Sequence, residues 1–152
     1  MVERRESVKN IIIIAGHGNF GSGMKSTLSF IAGEQPDVYG VDFGMDMTEE
    51  DLVTQYQSII DENIEENIVF VCDLLGGTPF KAAASIVTLH DQYELVCGCT
   101  VASLIESVII KDSVGPKVLA SLLVEKSIAS CYYYKLSRSK TIEKVEYYED
   151  GI

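Results

Sequence analysis

Two short loops hold the residues whose types and spacing could do chemistry. The first, Gly16-His17-Gly18-Asn19-Phe20-Gly21-Ser22-Gly23, sets one imidazole among glycines. The second, Asp73-Leu74-Leu75-Gly76-Gly77-Thr78-Pro79, sets one carboxylate ahead of a glycine pair. An unprotonated imidazole is a competent nucleophile near neutral pH, and covalent histidine intermediates are established chemistry. Glycine neighbours let backbone N–H groups and a bulky partner approach the ring. A carboxylate that accepts from one ring nitrogen fixes the tautomer and leaves the other nitrogen free to attack. A phosphoryl group on His17 would find donors in the helix starting near Ser22, in the hydroxyls of Ser22 and Thr78, and in the amides of Gly76 and Gly77. Phe20, Met24 and Leu75 are a candidate apolar rim, able to receive a protein partner and to exclude water from a labile bond. The plainer alternative is that His17 shapes a turn and Asp73 caps a helix.

The first loop also fits a second chemistry. Gly16, Gly18 and Gly21 satisfy G-x-G-x-x-G between a strand and a helix, and Asp42 ends the next strand at the spacing of a ribose-binding carboxylate. That would make a small dinucleotide-binding α/β protein. Against it, the chain lacks the length for two nucleotide-binding halves plus a catalytic domain. Gly23 also adds a flexible residue where a helix should already be running. The phosphoryl reading is preferred.

The elements that must position these loops are legible in the hydropathy. Four short apolar runs, Ile11 to Ala15, Val38 to Phe43, Ile68 to Cys72 and Tyr93 to Cys99, are continuous rather than alternating, as in parallel strands covered on both faces. Between them lie helical patterns. Ser22 to Ala32 carries Met24, Leu28 and Ile31. Thr48-Glu49-Glu50-Asp51 opens a second helix as a capping box, with Leu52, Tyr56, Ile59 and Ile60 as its stripe. Thr78-Pro79 starts a third, with proline in a tolerated first-turn position, running to His90. Two more follow, Val101 to Ile110 and one from Gly115-Pro116 to about Ser130, and Thr141 to Tyr148 alternates like a late edge strand. Strand and helix alternate, so the expected fold is one open, mainly parallel α/β sheet with helices on both faces. Ligands of such sheets sit beyond the carboxyl ends of the strands, where the strand order reverses. If strands one and three are neighbours, both loops meet there.

The chain has 152 residues, with Lys+Arg 12 against Asp+Glu 23 and a formal net charge of −11. This excess of negative charge argues against a phosphate-backbone binder and against docking on anionic lipid. No stretch approaches the roughly 20 apolar residues of a membrane span, and no secretory leader is read at the N-terminus. Cys72, Cys97, Cys99 and Cys131 fall mostly in apolar runs and are expected as reduced core thiols of a cytoplasmic protein. Cys97-x-Cys99 lacks the histidines a metal site would need. His90 is expected to be structural, Tyr132-Tyr133-Tyr134 to pack in a core or interface, and Asp61, Glu62, Glu65 and Glu66 to form a solvated turn.

The residues resemble the mannose-type IIA components of the bacterial phosphoenolpyruvate:sugar phosphotransferase system. The matching pieces are Ile12-Ile13-Ile14-Ala15-Gly16-His17-Gly18, Ser22-Gly23-Met24, Gly33-Glu34, and Val71-Cys72-Asp73-Leu74-Leu75-Gly76-Gly77-Thr78-Pro79-Phe80. With Gly98 and Leu104 the likeness spans about residues 10 to 125. It implies that His17 takes a phosphoryl group on Nε2 from the phosphocarrier protein HPr and passes it to a IIB component, with Asp73 bound to Nδ1. It implies no cofactor, because the donor is itself a phosphohistidine, and only indirect dealings with the IIC and IID membrane permease. It also implies a four-stranded parallel sheet in order 2-1-3-4, in a homodimer that exchanges a fifth, antiparallel strand; Thr141 to Tyr148 is the candidate. Residues 1–152 would thus be one IIA domain, with a core over about 10–130 and an extension over 131–152, in the cytoplasm or peripheral to a permease complex. The chain departs from the pattern at Leu75, where many relatives carry tryptophan, and at Cys99 to Ser103, where relatives often have an Asn-Leu-Pro-Met-like stretch. Both departures bear on docking rather than on the His17–Asp73 pair.

Overall fold

A computed structural model describes residues 8–136 of the chain. Strands β1 (Asn10–His17), β2 (Val38–Phe43), β3 (Asn67–Cys72) and β4 (Tyr93–Cys97) alternate with helices α1 (Phe20–Ala32), α2 (Glu49–Glu62) and α3 (Thr78–Val87). Helices α4 (Val101–Ile110) and α5 (Pro116–Ser130) follow, joined by a 3₁₀ turn at Lys111–Ser113. The four strands pair in parallel in the order β2-β1-β3-β4, as expected. The strand expected over Thr141 to Tyr148 lies outside the described residues.

The continuous apolar runs have the cause inferred for them, burial on both faces. Ile11, Ile13 and Ala15 of β1 pack with Leu52, Tyr56 and Ile60 of α2 and with Ala82, Ala83 and Ile86 of α3. Ile12 and Ile14 pack with Leu28 of α1, Leu104 and Val108 of α4, and Leu119 and Leu123 of α5. Every one of these side chains is buried, each contributing about 1.5–3 kcal/mol through removal from water where it is large. The capping box of α2 forms with both bonds: the Asp51 N–H donates to the Thr48 hydroxyl, and the Thr48 N–H donates to the Asp51 carboxylate.

Three expectations need correction. Helix α3 stops at Val87 rather than reaching His90; the chain turns there, and the His90 ring stacks on Tyr93 with centroids 4.4 Å apart, which is a structural use. Helix α1 begins at Phe20, so Gly21 and Gly23 lie inside it and Gly23 is no break. Cys131 is exposed, unlike Cys72 and Cys99. Of the two uses expected for Tyr132, Tyr133 and Tyr134, their exposure on this chain leaves the interface. The side chains of Cys97 and Cys99 pack to opposite clusters, so they do not form a paired ligand set.

Candidate functional site

Because β1 and β3 are neighbours, the loops that leave them open side by side at the carboxyl end of the sheet, the crevice where the order reverses. His17 closes β1 and Asp73 follows the last residue of β3, its N–H donating to the carbonyl of Ala15 at 3.1 Å. The structure brings the two together. Oδ2 of Asp73 accepts the backbone N–H of His17 at 2.9 Å and stands 2.7 Å from ring Nδ1, while Oδ1 accepts the N–H of Leu74 at 2.9 Å. Burial alone would raise the Asp73 carboxyl. The bonds from His17 and Leu74 together outweigh it and hold the group below its ordinary value, so Asp73 is a carboxylate at neutral pH and receives the Nδ1 proton. That assigns the lone pair of the neutral ring to Nε2, which has no hydrogen-bond partner among the described residues.

The ring is held on other sides by van der Waals contact. Phe43, in register with His17 on β2, meets the imidazole edge-on at 5.6 Å between centroids. Gly77 lies so close that a Cβ there would stand 2.9 Å from Cε1 of His17. Even so, the His17 side chain is 44% exposed, so one side of the ring stays open to a partner. Gly18 turns the chain away with φ of 57°, and its N–H donates to the carbonyl of Phe43 at 2.8 Å. Gly76, with φ of 77°, makes the corresponding turn before α3, whose N-cap is Gly77 and whose first residue is Thr78. The first N–H groups of α3 therefore open toward the histidine loop without partners inside the helix.

The remaining candidates divide. Leu75 is 74% exposed beside the pair, whereas Phe20 and Met24 are half-buried against the α1, α4 and α5 core. Ser22 and Asp42 bind each other: the Ser22 N–H reaches Oδ1 of Asp42 at 2.8 Å and its hydroxyl donates to Oδ2 at 2.6 Å. The carboxylate that the dinucleotide reading assigns to a ribose is already engaged by the chain itself, so that reading is not favoured. Sequence reasoning missed Phe43 and the exposed Leu74. Phe43 could have been found from its place one residue past Asp42, at the strand end that pairs beside His17.

A doubly wound parallel sheet with a His–Asp pair and two glycine turns at its switch point defines an α/β protein that holds one part-exposed imidazole at the carboxyl end of its strands. The chain belongs to the family described as the fructose IIA component of the phosphotransferase system (PTS), whose sequence profile matches residues 11–121. It is 29% identical over 113 residues to the PTS fructose-specific EIIA component of Bacillus subtilis, covering 74% of this chain and 77% of that protein. It is also 29% identical over 102 residues to the mannose-specific EIIAB component of Escherichia coli, covering 66% of this chain and 32% of that protein. A crystal structure of an EIIA component from Streptococcus agalactiae superposes with a TM-score of 0.75 at 28% identity, over 82% of this chain and 96% of that one. No helix among the described residues is long and apolar enough to cross a membrane.

Proposed function

We propose that this sugar-phosphotransferase component carries a phosphoryl group on Nε2 of His17, taking it from phospho-HPr and giving it to a IIB component. The observation that carries this reading is the 2.7 Å approach of Nδ1 to Asp73 on a ring that is still open to solvent. The Nε2 lone pair attacks the phosphorus of the donor phosphohistidine, the donor's P–N bond breaks, and the electron pair returns to the donor imidazole. The Nδ1 proton stays between ring and Asp73, whose negative charge stabilises the cationic phosphoimidazole. Since one P–N bond replaces another, the step is near thermoneutral and runs onward by the same chemistry in reverse. In transit the three equatorial oxygens carry the charge, and the amides of Gly76 and Thr78, on either side of the N-cap Gly77 whose own N–H turns back to the Leu74 carbonyl, are the donors this reading assigns to them. The exposed Leu74 and Leu75 supply an apolar contact for either partner.

The reading includes a homodimer in the cytoplasm, peripheral to a permease. Among the described residues β4 has no strand on its outer side, and beside it a groove of about 520 Å³ is lined by Val96, Ala120, Ser121, Val124, Glu125 and Ile128. An edge of that kind calls for a cover.

Incubation with phosphoenolpyruvate, enzyme I and HPr should add one acid-labile, base-stable phosphate per chain, and His17→Ala should abolish it. Label that persists on the variant overturns the assignment.

A further inference from the structure

The pattern Gly16-x-Gly18-x-x-Gly21 with Asp42 is the motif that the carrier reading leaves unexplained. Helix α1 starts at Phe20, and the side chain of its N-cap residue, Asn19, caps nothing. The third N–H of the helix, that of Ser22, is bound instead from the neighbouring strand, by Oδ1 of Asp42 at 2.8 Å, while the Ser22 hydroxyl binds Oδ2 at 2.6 Å. Asp42 therefore does, from β2, what an N-cap side chain ordinarily does. Two glycines make the approach possible. A Cβ on Gly21 would fall 2.3 Å from the carbonyl oxygen of Val41, and one on Gly40 would fall 2.7 Å from the carbonyl oxygen of Gly21. Helix backbone rests directly on strand backbone, and the Asp42 carboxylate fastens the two.

The consequence runs across the sheet. Alternation along the strands places Asp42, Gly16 and Asp73 on the face that α1 covers, with Gly16 opposite Asp42 in the β1–β2 register. A Cβ on Gly16 would lie 2.5 Å from Cδ1 of Phe20 and 2.8 Å from Cβ of Asp73, so the Phe20 ring and the stem of Asp73 close over the same bare backbone. Phe20 is the first residue of α1, two before Ser22. Where the first turn of α1 sits decides where Phe20 lies, and Phe20 bounds the space in which the Asp73 stem stands.

We infer that Asp42 is a positioning residue for phosphoryl transfer: by clamping Ser22 it seats the first turn of α1, and through Phe20 it keeps Asp73 aligned with the imidazole of His17. The inference rests on the carrier reading of His17. It also gives Ser22 a different part from the one its type suggests, since its hydroxyl proton is directed at Asp42.

The test compares the full chain with Asp42→Asn, Ser22→Ala and the double variant. Thermal unfolding reports the fold, ¹⁵N shifts of the His17 ring report the tautomer, and uptake from the small donor phosphoramidate reports the chemistry without partner docking. The expected result is cooperative unfolding in every variant, with ring nitrogens in Asp42→Asn moved toward a tautomer mixture. Uptake by Asp42→Asn should slow about tenfold, in the range seen when a residue that orients an active group is removed. The double variant should be no slower than Asp42→Asn alone, because the two groups act as one clamp. Wild-type nitrogen shifts in Asp42→Asn, with a rate within about twofold of the wild type, would overturn the inference, since a positioning loss of even about an ångström costs more than that. If Asp42→Asn does not fold, Ser22→Ala, which keeps the backbone N–H bond, decides by the same two readouts. If the wild type takes up no phosphate on His17, the carrier reading fails by itself, and the nitrogen shifts of the unphosphorylated chains still decide whether Asp42 aligns the pair.

Discussion

One carboxylate oxygen of Asp73 holds His17 at two points, accepting its backbone N–H at 2.9 Å and facing its ring Nδ1 at 2.7 Å. The first contact fixes where the end of β1 stands and the second fixes how the ring turns, so the orientation of Nε2 is set before any partner arrives. Preorganisation of that kind lowers the barrier because nothing needs to rotate at the moment of transfer. Asp73→Asn keeps an acceptor for the backbone but loses the charge that faces the cationic ring. Initial phosphoryl uptake should fall about 10–100-fold, the usual loss when the group behind a reacting imidazole is removed, while thermal unfolding stays cooperative. An initial rate within about twofold of the wild type would remove Asp73 from the mechanism.

Gly77 and Gly76 should separate chemistry from stability. Gly77 has φ of −68°, a value that any residue adopts, so Gly77→Ala is costly only where the new Cβ meets Cε1 of His17 at 2.9 Å and the Leu74 side chain at 3.1 Å. Gly76 has φ of 77° and open space around it. Gly76→Ala should therefore lower the unfolding free energy by about 1 kcal/mol, the lower end of the left-handed penalty for an L side chain. Gly77→Ala should displace the ring and slow uptake with a smaller change in stability. Denaturant unfolding together with initial rates checks both, and the opposite ranking would refute the steric account.

Leu75 stands exposed two residues after Asp73, and the proposed function gives it to the docking surface. Leu75→Asp places a charge at the centre of the proposed contact and should slow uptake from phospho-HPr by about tenfold or more, as losing an interface anchor does. Uptake from phosphoramidate, which needs no docking surface, should stay near the wild-type rate. Equal slowing with both donors would show that Leu75 acts on the ring rather than on docking.

Much of this site was legible because its parts are local. His17 and Asp73 each end a continuous apolar run, and a strand end in a parallel sheet is where ligand groups collect. Glycines at 18 and 76 carry the left-handed turns, which residue type alone announces. What stayed hidden were the contacts that cross between elements. Nothing in the order of residues tells that Ser22 is bound by Asp42 rather than free, because that bond depends on how closely Gly21 lets α1 approach β2. The end of α3 at Val87 was also missed: periodic apolar residues continue to the end of the run, and the turn that brings His90 onto Tyr93 is set by the strand that follows. The glycine pattern suggested a dinucleotide site only as the less favoured alternative, because close helix–strand approach, here between Gly21 and Val41, calls for the same residue type.

At the opposite end of the sheet a buried cation ties a carboxylate whose protonation costs stability in acid. Lys111 is 4% exposed, and its Nζ lies 2.7 and 2.8 Å from the two oxygens of Asp112 and 3.3 Å from Asp37. Burial alone would raise the Asp112 carboxyl, but Lys111 and the N–H of Asn10, 3.0 Å away, outweigh it and hold the group below its ordinary value. The folded state therefore binds fewer protons than the unfolded chain just below the unfolded carboxyl value of about 3.9, and stability rises with pH across that interval. The contribution is fully present above about pH 5 and is lost as pH falls through the folded value; Asp73, lowered likewise, adds in the same direction. Asp112→Asn should cost about 1 kcal/mol at pH 7, less than is usual for a broken buried pair because Asp112 is itself 41% exposed and screened. The variant should also lose stability less steeply than the wild type between pH 5 and pH 3, an interval set by the ordinary carboxyl value of about 3.9. Denaturant midpoints across that range measure the slope, and identical slopes for the two chains would exclude Asp112 as a source of acid sensitivity. Phosphoryl uptake by Asp112→Asn at pH 7 should match the wild type, because Lys111 and Asp112 stand at the start of β1 while His17 ends it.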